Sequence, residues 1–305
     1  MGKASKRRAA GARHTGSARA AGSGSAATPA PFVRRPFEGL QGETEWVALR
    51  DIVPAATASV RAADAASLPD DAPREVTWAT VLPMAWPALH RTDGTVLVST
   101  QASATSGDTS RDLAASWLQA AGQPAGTPVL HVPMADAATP RLQDLLDPDA
   151  ELRVELHEDF GFWVGDADLE EEAKASLEHA NSSIVPTRRV EGAPSVFWVD
   201  FGQQRTFVRW VLPQDEDAAT DGLARLAAAD RVKLTNDSRL LGAFRASGLV
   251  VPVWEVDPDA DAESFTAAVE AMAGALEDAI GSTAPLTVDE RRARNGLLSR
   301  QVTLR

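Results

Sequence analysis

The residues most able to do chemistry lie on one predicted hairpin, SVFWVDFGQQRTFVRWVLP (195–213). On its second strand, Arg205 and Arg209 share one face and Trp210 takes the other, because side chains alternate along an extended chain. Arginines among aromatic rings can hold an anion or a base, so Arg205, Arg209 and Trp210 are the candidate ligand-binding residues. Cross-strand pairing of Asp200 with Arg209 is the simpler alternative, and it is the one that we favour from the sequence.

The other reactive side chains form no recognisable active site. The chain has no Cys and no Tyr, which excludes thiol nucleophiles, thiolate metal sites and a tyrosine base. It has no phosphate-binding loop, no dinucleotide-binding loop and no metalloprotease spacing, so no cofactor and no metal are predicted. Catalytic residues stay unknown, and an enzyme stays open as an alternative. An enzyme would be indicated by a cleft between the two halves that contains two or more of these residues: His157, His179, Arg205, Arg209 and Arg239.

The surrounding pattern predicts an α+β fold with two hairpin-plus-helix layers and mostly antiparallel strands. Asp93-Gly94 lies between two apolar runs and predicts the first hairpin. A helix follows from about Ser110 to Ala121, with Asp108 or Ser110 as its N-cap. The second hairpin turns at Gly202 and is again followed by a helix that begins with acids. The shared order is compatible with duplication or with convergence on a common unit.

The remaining segments are assigned from periodicity. We predict a short helix over Glu45–Val53, a connection with helical character over Ala55–Asp71 and an alternating strand over Glu151–His157. A helix is predicted from about Asp168 to His179.

Near the end of the chain, the segment SRLLGAFRAS (238–247) is predicted as a helix that stops at Gly248. A buried strand over Leu249–Val256 and a long helix over Ala262–Ile280 come next. A capping box at Thr287–Glu290 then predicts a last, basic helix.

Positive and negative charges are distributed unevenly along the chain, more so than the hydrophobic residues. The formal net charge is −13, yet the first 35 residues hold eight Lys or Arg and no acid. We predict a disordered basic tail over 1–35, α+β halves over 36–185 and 186–286, and a basic end over 287–305. The tail is a candidate tether to RNA, the ribosome or another polyanion. Its candidate contacts are Lys3, Lys6, Arg7, Arg8, Arg13 and Arg19.

Composition also limits location and function. Because no apolar run is long enough to cross a bilayer, no membrane partner is predicted. The absence of Cys fits a reducing cytoplasm. The resulting hypothesis is an acidic cytoplasmic protein that acts as a non-catalytic binding or adaptor protein and has a possible protein partner. The alternative is an enzyme that acts on an anionic small molecule in a cleft between the halves.

Several segments resemble an uncharacterised, actinobacterial family, a domain of unknown function. They are ETEWVALRDIVPAA (43–56), MAWPALHRTDGTV (84–96), FWVDFGQQRTFVRWVLP (197–213), LLGAFRASGLVVPVWEVDPD (240–259) and ERRARNGLLSRQVTLR (290–305). The similarity spans about Pro36 to Arg305. Some relatives carry translocase-related labels, which belong with a Cys-rich metal-binding motif that this chain lacks. The resemblance implies a cytoplasmic bacterial protein and implies no activity.

Overall fold

A computed structural model describes residues 28–103, 106–166 and 168–299. Within these residues seven α-helices and eleven strands form two mostly antiparallel sheets, which confirms the predicted α+β class. The helices are α1 (Glu43–Asp51), α2 (Thr109–Ala121), α3 (Leu142–Leu145), α4 (Glu171–Asn181), α5 (Glu216–Ala228), α6 (Thr266–Gly281) and α7 (Val288–Ser299).

The first sheet has six strands in the spatial order β5-β3-β4-β2-β1-β6. They are β1 (Ala56–Arg61), β2 (Glu75–Ala79), β3 (Ala88–His90), β4 (Val96–Ser99), β5 (Thr127–Val129) and β6 (Glu155–Leu156). All pairs are antiparallel except β2 with β4. The predicted hairpin at Asp93-Gly94 joins β3 to β4, and the following helix α2 begins where the Asp108 carboxylate accepts the Ser110 N–H.

The second sheet has five strands in the order β10-β11-β9-β8-β7, and every pair is antiparallel. They are β7 (Thr187–Arg189), β8 (Val196–Asp200), β9 (Thr206–Trp210), β10 (Arg239–Ala246) and β11 (Leu249–Val256). The predicted turn at Gly202 joins β8 to β9, and α5 follows. One face of this sheet packs against α5, α6 and α7 in a core that includes Trp210, Trp254 and Leu223.

The other face of the second sheet packs against the first part of the chain through α1. Trp46, Val47 and Leu49 of α1 are each at most 1% exposed, which requires apolar contacts on more than one side. They share one core cluster with Trp78 of β2 and Phe197 of β8. Because this cluster contains residues of both sheets, α1 and the inner face of the second sheet form a common core.

The segment over residues 238–247 is a strand, so the predicted helix there is wrong. Arg239–Ala246 forms β10 and pairs with β11 across a two-residue turn at Ser247 and Gly248. Both turn residues have positive φ, 43° and 86°, as a type I′ hairpin requires. Gly248 is needed because a Cβ there would lie 2.5 Å from the Arg34 carbonyl oxygen. The glycine that resembled a helix end is therefore a hairpin turn.

Two other local predictions need correction. The segment 55–71 contains strand β1 (Ala56–Arg61) rather than a helix, because Thr57–Arg61 pairs with β2. In the segment predicted as a strand over 151–157, only Glu155 and Leu156 pair, with the start of β1. The last two helices agree with prediction, and Thr287 and Glu290 form the expected reciprocal capping box of α7.

Residues 28–35, which were assigned to the tail, lie against the body. The Ala137 N–H donates to the Thr28 carbonyl, and the Val33 N–H donates to Gly107. Arg35 forms a bidentate pair with Glu43 at 3.0 and 2.7 Å. Residues 1–27, which hold the candidate polyanion contacts, lie outside the described residues. The proposed division at residues 185 and 186 falls between the last strand of the first sheet and the first strand of the second, and it stays a prediction.

Candidate functional site

A cleft of about 520 Å³ opens between the C-terminal end of α1 and the inner face of the second sheet. Ile52 and Val53, just after α1, form part of one wall. Val199, Phe201 and Phe244 form an apolar wall on the sheet side. Clefts of this size and lining are typical of small-molecule sites in proteins.

Arg209 of β9 lies in this cleft and is only 7% exposed. Its Cζ is 5.0 Å from the centroid of the Phe201 ring, and its buried Nε has no hydrogen-bond partner. No carboxylate among the described residues pairs with this guanidinium. Burial lowers the pKa of Arg209 to about 10, so the side chain stays charged at neutral pH. A buried cation with an orphaned donor is costly and calls for an explanation.

Two further arginines line the same cleft, and both have protein partners. Arg245 of β10 donates to Glu216 at 2.5 Å. Arg50 of α1 donates to the carbonyl of Thr100, and its Nε is 3.9 Å from a carboxylate oxygen of Asp51. Arg209 is therefore the cation that the protein leaves uncompensated in this part of the described chain.

Asp51 brings one negative charge to the edge of the cleft. Its carboxylate accepts a hydrogen bond of 2.7 Å from the Ser247 hydroxyl, which ties the end of α1 to the turn between β10 and β11. Burial raises the pKa of Asp51, and the contacts with Ser247 and Arg50 offset part of that rise. About a third of the side chain remains exposed, so solvent screens this carboxylate more than it screens Arg209.

The structure separates the three ligand-binding candidates of the sequence. Trp210 points to the opposite face, as the alternation predicted, and it packs on Trp254 in the core beneath the helices. Arg205 is exposed in the turn, about 6 Å from the Phe201 and Phe207 rings, and does not line the cleft. Of the three, only Arg209 reaches the cleft.

The favoured pairing of Asp200 with Arg209 is wrong. Thr206, not Arg209, lies opposite Asp200 in the hairpin, and Arg209 lies opposite Phe197. The Asp200 carboxylate instead accepts the backbone N–H of Gly202 at 2.7 Å and so stabilises the turn. The register of the hairpin places the two charged residues too far along the strands to meet.

The residues whose convergence would indicate an enzyme do not meet in this cleft. His157 lies within 2.7 Å of the Thr57 hydroxyl on the first sheet, and His179 is exposed on α4. Arg239 is exposed and pairs with Glu255 at 2.6 Å. Arg209 alone of that set lines the cleft.

Most of the cleft could not be found by reading the sequence. Asp51 was placed correctly on a helix, but nothing local indicated that Ser247 would reach it. Phe244 and Arg245 were hidden by the wrong helix prediction. One signal was available, because Ser-Gly between the apolar runs LLGAF and LVVPV is a two-residue hairpin signature.

The arrangement is chemically simple. It offers one buried positive charge, an aromatic ring against that charge, and an apolar wall large enough to hold more than a simple ion. Among the residues described, no group of three or more His, Asp or Glu could hold a metal ion. These properties suit recognition of an anion in a partly desolvated environment, where a charge-assisted hydrogen bond is strong.

The fold and the cleft together define an α+β protein with a candidate anion-binding site between α1 and the second sheet. Residues 36–305 match the model of a family of unknown function, DUF5926, and the chain belongs to that family, as its resemblance to an uncharacterised domain led us to expect. No curated protein matches the chain, and no solved structure matches it. None of the described helices is both long enough and apolar enough to cross a membrane.

Proposed function

We propose that this protein binds a small anionic molecule in the cleft between α1 and the second sheet, with Arg209 as the anchor. The observation that carries the proposal is Arg209, a residue that is only 7% exposed and whose guanidinium has no acid partner among the described residues. Leaving such a charge uncompensated lowers stability, and strongly perturbed groups in clefts are frequent at functional sites. A bound anion would supply the missing partner. A cytoplasmic location is part of this proposal.

The test is a thermal-shift screen of the full chain against carboxylates, phosphates and sulfonates at low ionic strength. A ligand at 100 times its Kd adds about 2.7 kcal/mol to the free energy of unfolding, which is readily measured as a rise in Tm. We expect at least one anion to raise the Tm of the wild type and not that of Arg209→Gln.

The matched control is Arg205→Gln, which removes an arginine from the same hairpin but outside the cleft. It should keep the full response to the anion. The proposal fails if no anion stabilises the wild type, or if Arg209→Gln responds as the wild type does.

A second proposed role concerns the basic first segment as a tether to RNA or another polyanion. It is supported by the charge pattern, since eight basic residues and no acid precede a body with a formal charge of −21. If four to six of these charges contact phosphates, the logarithm of the affinity for single-stranded RNA should fall linearly with the logarithm of the salt concentration, with a slope of about −3 to −4. Substitution of Lys3, Lys6, Arg7, Arg8, Arg13 and Arg19 by Gln should abolish most of this slope. An unchanged slope would contradict the tether.

A further inference from the structure

The charges of the cleft limit which anion it can hold, and this inference rests on the function proposed above. Arg245 pairs with Glu216, and Arg50 lies 3.9 Å from the Asp51 carboxylate besides donating to the Thr100 carbonyl, so Arg209 is the cation of the cleft without a carboxylate partner among the described residues. The Asp51 carboxylate lies in the same cleft. A second negative charge on the ligand would therefore meet no free cation and would be repelled by Asp51.

The shape of the cation favours a particular anion. The Arg209 Cζ lies 5.0 Å from the centroid of the Phe201 ring, and the N–H donors of a guanidinium point outward in the plane of the group. Two parallel N–H donors in that plane match the two oxygens of a carboxylate. No lysine lines the cleft, although lysine is a common point-charge partner of phosphate.

The walls of the cleft require an apolar body on the ligand. Ile52 and Val53 face the cleft from one side, and Val199, Phe201 and Phe244 face it from the other. A volume of about 520 Å³ greatly exceeds the ~30 Å³ that one water molecule occupies in the liquid. Ile52, Val53 and Val199 are already buried, but a small hydrated ion would leave the half-buried rings of Phe201 and Phe244 in contact with water and would gain nothing from them.

We propose that the ligand is a monocarboxylate with an apolar or aromatic body, bound by its carboxylate to Arg209 and by its body to the wall that includes Phe201 and Phe244. The proposal excludes dianions such as phosphate monoesters as the preferred ligands. It also requires that neither the carboxylate charge nor the apolar body of the ligand is sufficient alone for tight binding.

The experiment measures Kd by titration calorimetry for the full chain with two probes, benzoate and hexanoate, and with three matched compounds. Acetate keeps the charge without the body, benzyl alcohol keeps an aromatic body without the charge, and phenyl phosphate keeps the body with a dianion. We expect one of the two probes to bind at least tenfold more tightly than each matched compound. Arg209→Gln should weaken that binding at least tenfold.

A second variant tests the body of the ligand separately. Phe244→Ala should reduce the preference for benzoate or hexanoate over acetate at least threefold, whereas a merely structural defect would weaken all carboxylates together. An unchanged preference would show that the Phe244 wall takes no part.

The outcomes distinguish an error in the inferred ligand class from an error in the proposed binding site. If phenyl phosphate binds most tightly and its binding depends on Arg209, the monocarboxylate inference fails and the anion-binding function stands. If acetate binds as tightly as the probes do, the inferred need for an apolar body on the ligand is wrong. If no compound binds, the monocarboxylate inference fails, and the wider thermal-shift screen decides the proposed function. If binding does not change in Arg209→Gln, both the inference and the proposed function fail.

Discussion

Two arginines on the inner face of the second sheet have opposite electrostatic surroundings. Arg189 of β7 and Arg209 of β9 lie on either side of Phe197 of β8, in register across three neighbouring strands. Each guanidinium lies about 5 Å from a phenylalanine ring, Phe197 for Arg189 and Phe201 for Arg209. Their aromatic contacts are therefore alike, although β7 is the edge strand and β9 lies inside the sheet. The two arginines differ in the acid that α1 presents, because Glu45 pairs with Arg189 and no carboxylate among the described residues pairs with Arg209.

Arg189 has a fully matched partner. It donates two hydrogen bonds of 2.8 Å to Glu45 near the start of α1, and the Ser195 hydroxyl donates a further one of 2.6 Å to the same carboxylate. The hydrogen bonds to Glu45 raise the pKa of Arg189, the opposite of the change that burial causes in Arg209. The same sheet face thus carries a structural ion pair at one end of α1 and an unsatisfied cation at the other.

The difference teaches how the two ends of one helix can serve different purposes. At its N-terminal end α1 is held to the second sheet by a saturated charge pair. At its C-terminal end the chain leaves a cleft and an uncompensated charge, which is a loss of stability that a bound anion would offset.

The largest expected effect comes from breaking the matched pair. Arg189→Met should lower the free energy of unfolding by about 3 kcal/mol, because Glu45 would keep its charge in a half-buried place without its partner. Urea unfolding monitored by tryptophan fluorescence measures this loss. In the double variant with Glu45→Gln, part of the loss should return, since the stranded charge is gone. A loss below 0.5 kcal/mol in Arg189→Met would show that the pair contributes no more than an exposed one.

The same substitution at Arg209 should change the free energy of unfolding in the opposite direction. Arg209→Met replaces an unpaired buried cation by an apolar side chain of similar length, so the free energy of unfolding of the ligand-free protein should rise by about 1 kcal/mol. The same urea titration applies, and the wild type treated in parallel is the reference. A loss of 2 kcal/mol or more would mean that Arg209 has a stabilising partner and would contradict the contrast drawn with Arg189.

The smallest effect concerns the carboxylate at the cleft end of α1. Because the folded-state pKa of Asp51 is raised, the folded protein binds this proton more tightly than the unfolded chain does. Stability is therefore lost as pH rises from the ordinary Asp pKa through the raised folded pKa, and the full cost is present above it. Asp51→Asn should therefore be slightly more stable than the wild type at pH 7, by less than about 1 kcal/mol given the exposure of the group. The advantage should shrink as pH falls toward about 4, the ordinary Asp value.

A carboxyl group with the opposite shift provides the control for that pH series. Arg91 holds the pKa of Asp93 well below its ordinary value, through a contact of 2.6 Å. Asp93→Asn should be less stable than the wild type at pH 7, and this deficit should shrink in acid. If both Asn variants changed with pH in the same direction, the sign assigned to Asp51 would be wrong.

Local patterns in the sequence predicted the elements whose signals are local. The Asp108 cap of α2, the Thr287–Glu290 capping box and the turns at Gly94 and Gly202 each depend on residues within a few positions of one another. The alternation along β9 likewise placed Arg209 and Trp210 on opposite faces before any contact was known. A short-range pattern was insufficient for β10, because LLGAFRA fits a helical period and a strand equally well until β11 pairs with it.

The sequence by itself determined that an arginine would stand beside aromatic rings on this hairpin, since the composition and alternation of β9 require it. Only the tertiary structure decided which arginine received a carboxylate. Glu45 is 144 positions from Arg189 in the chain and reaches it because α1 packs across the second sheet. The nearer acid, Asp200, is excluded from Arg209 by the hairpin register. Charge pairing depends on distances of a few ångströms, and packing sets those distances between segments that sequence proximity does not relate.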